Sequence, residues 1–217
     1  MSLIHNIVDC LHLFSSALPI GSFAFSQGLE SAVSNGLVHD ESSFSEWLNA
    51  ILMGNYRTLD LRAARCIYRS DSEEKKFSFN QTLLASRATQ ELFCEDILLG
   101  KALRNWAKKN SISVSNFESV SLITIYSDIC RAWDISEEIF VAGFSWAWLE
   151  NQVMVAAKTI PMGQSKLQSI LIDTKPILYE ALKDSRLNSN RSWTSSTPGL
   201  ALLSGMHEIQ YSRLFRS

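Results

Sequence analysis

Residue types able to do chemistry are sparse in this 217-residue chain, which holds four histidines and four cysteines. The stretch ALPIGSFAFSQGLE, Ala17 to Glu30, sets Gly21 and Gly28 around two phenylalanines ahead of a helical pattern. Glycine-rich loops that open helices often cradle phosphates. Here no Gly-Lys-Ser/Thr follows, so the lysine that reaches the terminal phosphates of a Walker A loop is missing. A dinucleotide fingerprint also fails, because no strand precedes the loop. HEIQY, His207 to Tyr211, carries Tyr where a zincin needs its second His. His5, His12 and His39 are scattered, so spacing yields no metal set. Glu91 and Glu95 share a helix face, with Asp96 adjacent. A di-iron bundle would add Glu-x-x-His partners; without them the expectation is an acidic solvated face. GFSWA, Gly143 to Ala147, departs from a nucleophile elbow because it lies inside a helical pattern and Ala147 replaces the second glycine. None of these motifs demands an enzyme.

Composition narrows the remaining classes. The chain is 46% hydrophobic and 19% charged, which suits a sizeable core. A net charge of −2 gives no electrostatic argument for nucleic acid or an anionic membrane. Cys10, Cys66, Cys94 and Cys130 form no C-x-x-C pair and are expected to be buried free thiols of a reducing cytoplasm. The N-terminus lacks the basic cluster and small-residue cleavage site of a secretory signal. The most apolar segment, Ile139 to Ile160, has Glu150, Asn151 and Gln152 at its middle, so a buried helix is expected rather than a membrane span.

The elements that must position these residues are helical. Ile4, Ile7, Val8, Leu11 and Phe14 form one face of a first helix over residues 3–15. Pro19 and Gly21 end it, and a short helix carrying Leu29 and Val33 follows Ser22. Ser43-Phe44-Ser45-Glu46 reads as a capping box opening a third helix, which Gly54 and Asn55 bend. One or two helices are expected over residues 74–109 and another from Phe117 to Trp133. Ser136 with Glu137 and Glu138 caps the apolar helix, and Pro161 ends it. Gly163 starts a helix that contains Pro176. From Asp184 to Thr197, nine of fourteen residues are Ser, Asn or Thr, which predicts a flexible connector. Thr197-Pro198 then opens a last helix, followed by YSRLFRS. The expected fold is an all-α, single-domain bundle of about eight to ten helices. Residues 1–183 form the helical domain, and 184–217 form a connector, a short helix and a flexible C-terminal tail.

Three stretches together resemble the urease accessory protein F family: LPIGSFAFSQGLESAVSNGLV, AAKTIPMGQ (Ala156 to Gln164) and TPGLALLSGMHEIQYSRLFRS at the C-terminus. SRATQEL, Ser86 to Leu92, and Gly100 fit the same pattern in order. Pro19, Gly21, Gly28, Pro161, Gly163 and Gln164 shape the motifs. Met162 stands where the family usually has Leu or Phe, and Lys158 where Arg is common. The resemblance implies a helical, non-enzymatic, cytoplasmic protein of urease maturation. Its implied partners are urease accessory proteins D (also called H) and G, together with apo-urease, and homodimerisation is implied too. No cofactor is held firmly; the complex delivers nickel, and GTP resides on the partner GTPase, whose rate the F protein governs. A stand-alone helical nickel carrier or small helical enzyme is the alternative.

Against that function the tail offers Tyr211, Leu214 and Phe215 as anchors, Arg213 and Arg216 as charge-assisted donors, and Ser217 at its end; by resemblance it docks on the D/H protein. The other reading is that it packs on its own domain. Phe25, Gln27, Glu30 and Lys158 are candidate contacts to the GTPase. The opening turn is expected to expose Phe23, Phe25 or Gln27. Glu30 alternatively caps or pairs locally, and Lys158 alternatively only complements a helix C-terminus. Arg87 and Gln90 are expected to serve a helix–helix connection.

Overall fold

The computed structural model describes residues 3–188, 192–194 and 197–217. Among them the regular structure is helical, with no strand. The helices are α1 (Leu3–Leu13), α2 (Leu29–Ser34), α3 (Glu41–Ile51), α4 (Leu61–Tyr68), α5 (Glu73–Ala85), α6 (Gln90–Lys109), α7 (Leu122–Ala132), α8 (Glu137–Thr159), α9 (Gln164–Leu187) and α10 (Pro198–Glu208). A 3-10 turn, Ser22–Ala24, precedes α2, and a π-helical segment, Leu52–Asp60, links α3 to α4.

Local chemistry explains where most helices begin. Ser136 accepts a hydrogen bond from the Ile139 amide, and Glu137 and Glu138 complement the positive end of α8. Thr89 and Ser121 cap α6 and α7 in the same way, so α7 starts at Leu122 rather than at Phe117. The capping box of α3 is Asp40 with Ser43, one turn earlier than the expected Ser43 with Glu46. Ser43 sits at the third helical position, where its hydroxyl bonds back to Asp40. Gly54 leaves helical geometry at φ −91°, ψ −109°, which bends the chain and turns Asn55, Tyr56 and Asp60 inward.

Helix α8 lies at the centre, packed by α1, α2, α4, α7 and α9. Two glycines permit the closest approaches. A Cβ on Gly100 of α6 would lie 2.2 Å from the Val120 carbonyl oxygen, so α6 rests directly on the backbone leading into α7. A Cβ on Gly143 of α8 would lie 2.4 Å from the Phe14 ring, where the end of α1 crosses. The expected apolar face is buried only at its end: Phe14 is buried, with Leu13, while Ile4, Ile7, Val8 and Leu11 of α1 face solvent. Arg65 of α4 is fully buried and joins α4, α8 and α9 by bonds to Glu137, Glu138, Ser185 and the Leu182 carbonyl.

The described part of the connector is pinned. Thr58 Oγ1 donates to the Thr194 carbonyl at 2.6 Å, and Arg62 Nη1 donates to that of Ser192 at 3.1 Å. Trp193 packs on the core beside Phe79. Residues 184–187 belong to α9, and 189–191 and 195–196 lie outside the described residues. The four cysteines are free; Cys130 is buried, Cys10 and Cys66 are half-buried, and Cys94 is exposed, against the expectation that all are buried. Among the described residues no helix is long and apolar enough to cross a membrane.

Candidate partner-docking site

The opening loop, the polar middle of α8, one face of α6 and the C-terminal tail meet in a single hydrogen-bonded assembly. Gly28, at φ 84°, lies against Leu200 and Ser204, so α10 can pack on the start of α2. Gln27 also takes a left-handed backbone, φ 54°, which a non-glycine residue adopts at a cost of about 1–2 kcal/mol. Its side chain is fixed from both sides: Trp148 Nε1 donates to its oxygen at 2.7 Å, and its amide donates to Glu95 at 2.6 Å. Asn151 and Gln152 donate to the carbonyls of Phe25 and Ser26 at 2.9 and 3.2 Å. The polar centre of the apolar helix therefore holds the loop.

The tail completes this assembly. Of its two readings, packing on its own domain is the one this structure displays. Phe215 is buried, which stabilises the seated tail by about 2 kcal/mol. The Arg216 amide donates to the Ala24 carbonyl at 2.8 Å, and the Ser26 amide donates to the Ser217 main-chain oxygen at 2.9 Å. Ser26 Oγ donates to the same oxygen. Ser217 Oγ donates to Glu95 at 2.7 Å. The carboxylate of Glu30 accepts from two successive tail amides, Leu214 at 2.7 Å and Phe215 at 3.0 Å. The His207 ring, fully buried, lies 3.1 Å from Glu30 and 2.8 Å from Glu91. Arg213 donates to Glu91 at 2.9 Å. Lys158 Nζ stands 5.5 Å above the Phe215 ring.

Beneath the loop is a cavity of about 120 Å³, lined in part by Asn55, Tyr56, Asp60, Arg87, Glu95 and Trp148. Arg87 bridges Asp60 and Asp96 at 2.7 Å each, and Asp96 also accepts the Leu122 amide at 2.7 Å. Burial opposes the charge on Arg87, but the two aspartates outweigh it and raise its pKa further. Burial raises the Asp60 carboxyl, and Arg87 partly offsets that rise. Burial likewise pushes Glu95 up to about 7 against the hydrogen bonds from Gln27 and Ser217. Among the described residues, no three His, Cys, Asp or Glu side chains are placed to hold one metal ion together.

Several expectations change here. Glu91, Glu95 and Asp96 are not a solvated acidic face: Glu95 and Asp96 are buried and Glu91 is half-buried, each with a named donor. Phe25 and Glu30 are buried, so in this arrangement they shape the surface from beneath it; Gln27 is half-buried and Lys158 is exposed. Phe23 is exposed, as the turn suggested. In the tail, Phe215 and Ser217 point inward while Tyr211 and Leu214 point out, and Arg213 and Arg216 remain exposed. Leu202 and Met206 share the outward face of α10 at helical spacing, and Ile209, just past its end, continues the row toward Tyr211. Pro161 follows the end of α8, and Gly163 stands at the start of α9, immediately before Gln164. Asp60, Asp96, Trp148, Asn151 and His207 entered the assembly without being singled out for it. The available signal was the polar run inside the apolar helix, which marks groups needing buried partners.

A family model described as UreF matches residues 38–175. The chain is 36% identical to the urease accessory protein UreF of Hahella chejuensis, an alignment covering 97% of this chain and 98% of that one. It is 38% identical to the urease accessory protein UreF of Chromohalobacter salexigens, over 97% and 94%. With the corresponding protein of Dechloromonas aromatica it shares 33% identity, covering 98% of each chain.

Proposed function

The chain belongs to the urease accessory protein UreF family, and on that premise we propose that it is a non-catalytic adaptor of cytoplasmic urease maturation. It joins urease accessory proteins D (H) and G around apo-urease. The assembled complex inserts nickel with GTP hydrolysis on the G partner, whose rate this chain regulates. The adaptor acts as a homodimer.

The observation that carries this reading is the seated tail. An exposed apolar row, Leu202, Met206, Ile209, Tyr211 and Leu214, sits on a base of buried polar bonds. Aromatic and aliphatic anchors held rigidly by their own domain lose little entropy on docking, which favours affinity. Lys158 lies exposed beside the tail through its contact with Phe215, so a second partner can meet both. This arrangement supports the D/H protein on the α10–tail row and the GTPase near Lys158.

Leu214→Asp tests the reading. Leu214 is 72% exposed, so the variant is expected to keep its helical circular dichroism. Co-purification with the D/H protein is expected to fall by about tenfold or more. Undiminished capture removes the tail from the interface.

A further inference from the structure

We propose that the C-terminal tail is a proton-dependent latch, seated while His207 carries both ring protons and released when it loses one. As regulation of the docking surface this rests on the reading above, but the latch is a property of the isolated chain.

The argument is a count of hydrogens. His207 Nδ1 lies 2.8 Å from an oxygen of Glu91, and Nε2 lies 3.1 Å from an oxygen of Glu30. Ionised carboxylates only accept, and a neutral imidazole has one N–H to give. The observed pair of contacts is complete only when the ring is an imidazolium. A neutral ring turns one nitrogen lone pair toward a carboxylate in a site closed to water. Such a contact is repulsive and strengthened by the low local dielectric.

Both glutamates are also the handles of the tail. Glu30 accepts the Leu214 and Phe215 amides, and Glu91 accepts Arg213. Pushing either carboxylate aside therefore loosens the tail directly. The two carboxylates bonded to the ring have matching cations only in the protonated state. Helix α2 supplies Glu30, α6 supplies Glu91, and the tail supplies Arg213. On its own helix the neighbour is Glu208, which accepts the Glu91 amide at 3.3 Å. With His207 charged, Glu30 and Glu91 are matched by His207 and Arg213; with it neutral, one negative charge is left over.

Glu95, one turn along α6, is a second group whose proton the fold holds. Its carboxyl holds a proton in the folded chain up to about pH 7, above the ordinary carboxylate range. A raised carboxyl pKa means that stability falls as pH rises through that interval. The hydrogen bonds from Gln27 and Ser217 favour the ionised carboxylate, so this change does not by itself unseat the tail.

The test is a pH titration of the full-length, isotope-labelled chain by nuclear magnetic resonance, following the Leu214 and Phe215 amides. From about pH 6 to about pH 8.5, spanning the range where histidines titrate, the seated-to-released equilibrium is expected to shift by about tenfold or more. His207→Gln offers one donor at any pH, so its tail is expected to be weakly seated with no histidine-range transition. Glu95→Gln is expected to keep that transition. Unchanged wild-type amide positions across the range overturn the proposal. So does a transition that persists in His207→Gln or that disappears only in Glu95→Gln. No partner protein enters this measurement, so a failed latch and a failed docking surface give separate results.

Discussion

Arg87→Met is expected to lower the unfolding free energy by about 3–5 kcal/mol, which for a chain of this size means a melting temperature lower by roughly 10 °C. Arg87 is the cation between Asp60 and Asp96, and all three side chains are largely buried. Methionine fills much of the same space but leaves two carboxylates facing each other across the cavity with no counter-charge. Burial already raises Asp60, and without Arg87 that rise has less to oppose it. The penalty arises from stranded charge rather than from lost attraction, so it is reversible by design. Adding Asp60→Asn and Asp96→Asn to Arg87→Met is expected to recover most of the lost stability. Urea unfolding of the single and triple variants measures this. A loss of less than about 1 kcal/mol in the single variant contradicts a buried, charge-compensated pair.

Glu30→Ala is expected to release the tail while the helical domain stays folded. Three hydrogen bonds converge on this carboxylate, two from tail amides and one from His207. Bonds to a charged group contribute about 1.5–3 kcal/mol each, and the alanine variant loses all three. Capture of the D/H protein is expected to fall by about a hundredfold, equivalent to about 3 kcal/mol, with circular dichroism close to wild type. Glu30 is 6% exposed, so a direct partner contact cannot be the cause of that loss. Unchanged capture by a chain whose tail is demonstrably released would move the docking surface elsewhere.

The helical architecture was legible because its signals are local. Ser136 with two following glutamates, Pro161 after α8 and Pro198 at the first position of α10 each act within one turn. The α3 cap slipped by one turn because Asp40 and Ser43 both precede acidic or polar neighbours, and only geometry shows which hydroxyl closes the box. Orientation was less legible. Of the apolar face expected for the first helix, only Phe14 is buried, against Gly143 some 130 residues later, while Ile4, Ile7, Val8 and Leu11 point outward. The hydrogen-bonded assembly around the tail shows the same limit. Glu91 and Glu95 have the spacing of a solvated pair, and their donors include His207, Arg213 and Ser217, over one hundred residues away in sequence. The tail itself stood out in the sequence as a segment rich in aromatic, aliphatic and arginine side chains. Which of them face inward was not legible, because that depends on the carboxylate of Glu30 in α2.

The most direct measurement is a hydrogen-exchange footprint of the full chain, alone and bound to the D/H protein. The account predicts added protection over residues 202–216, with the α10–tail row becoming shielded while α4 and α9 stay unchanged. Protection confined to other helices, with residues 202–216 exchanging as they do in the free chain, would contradict it.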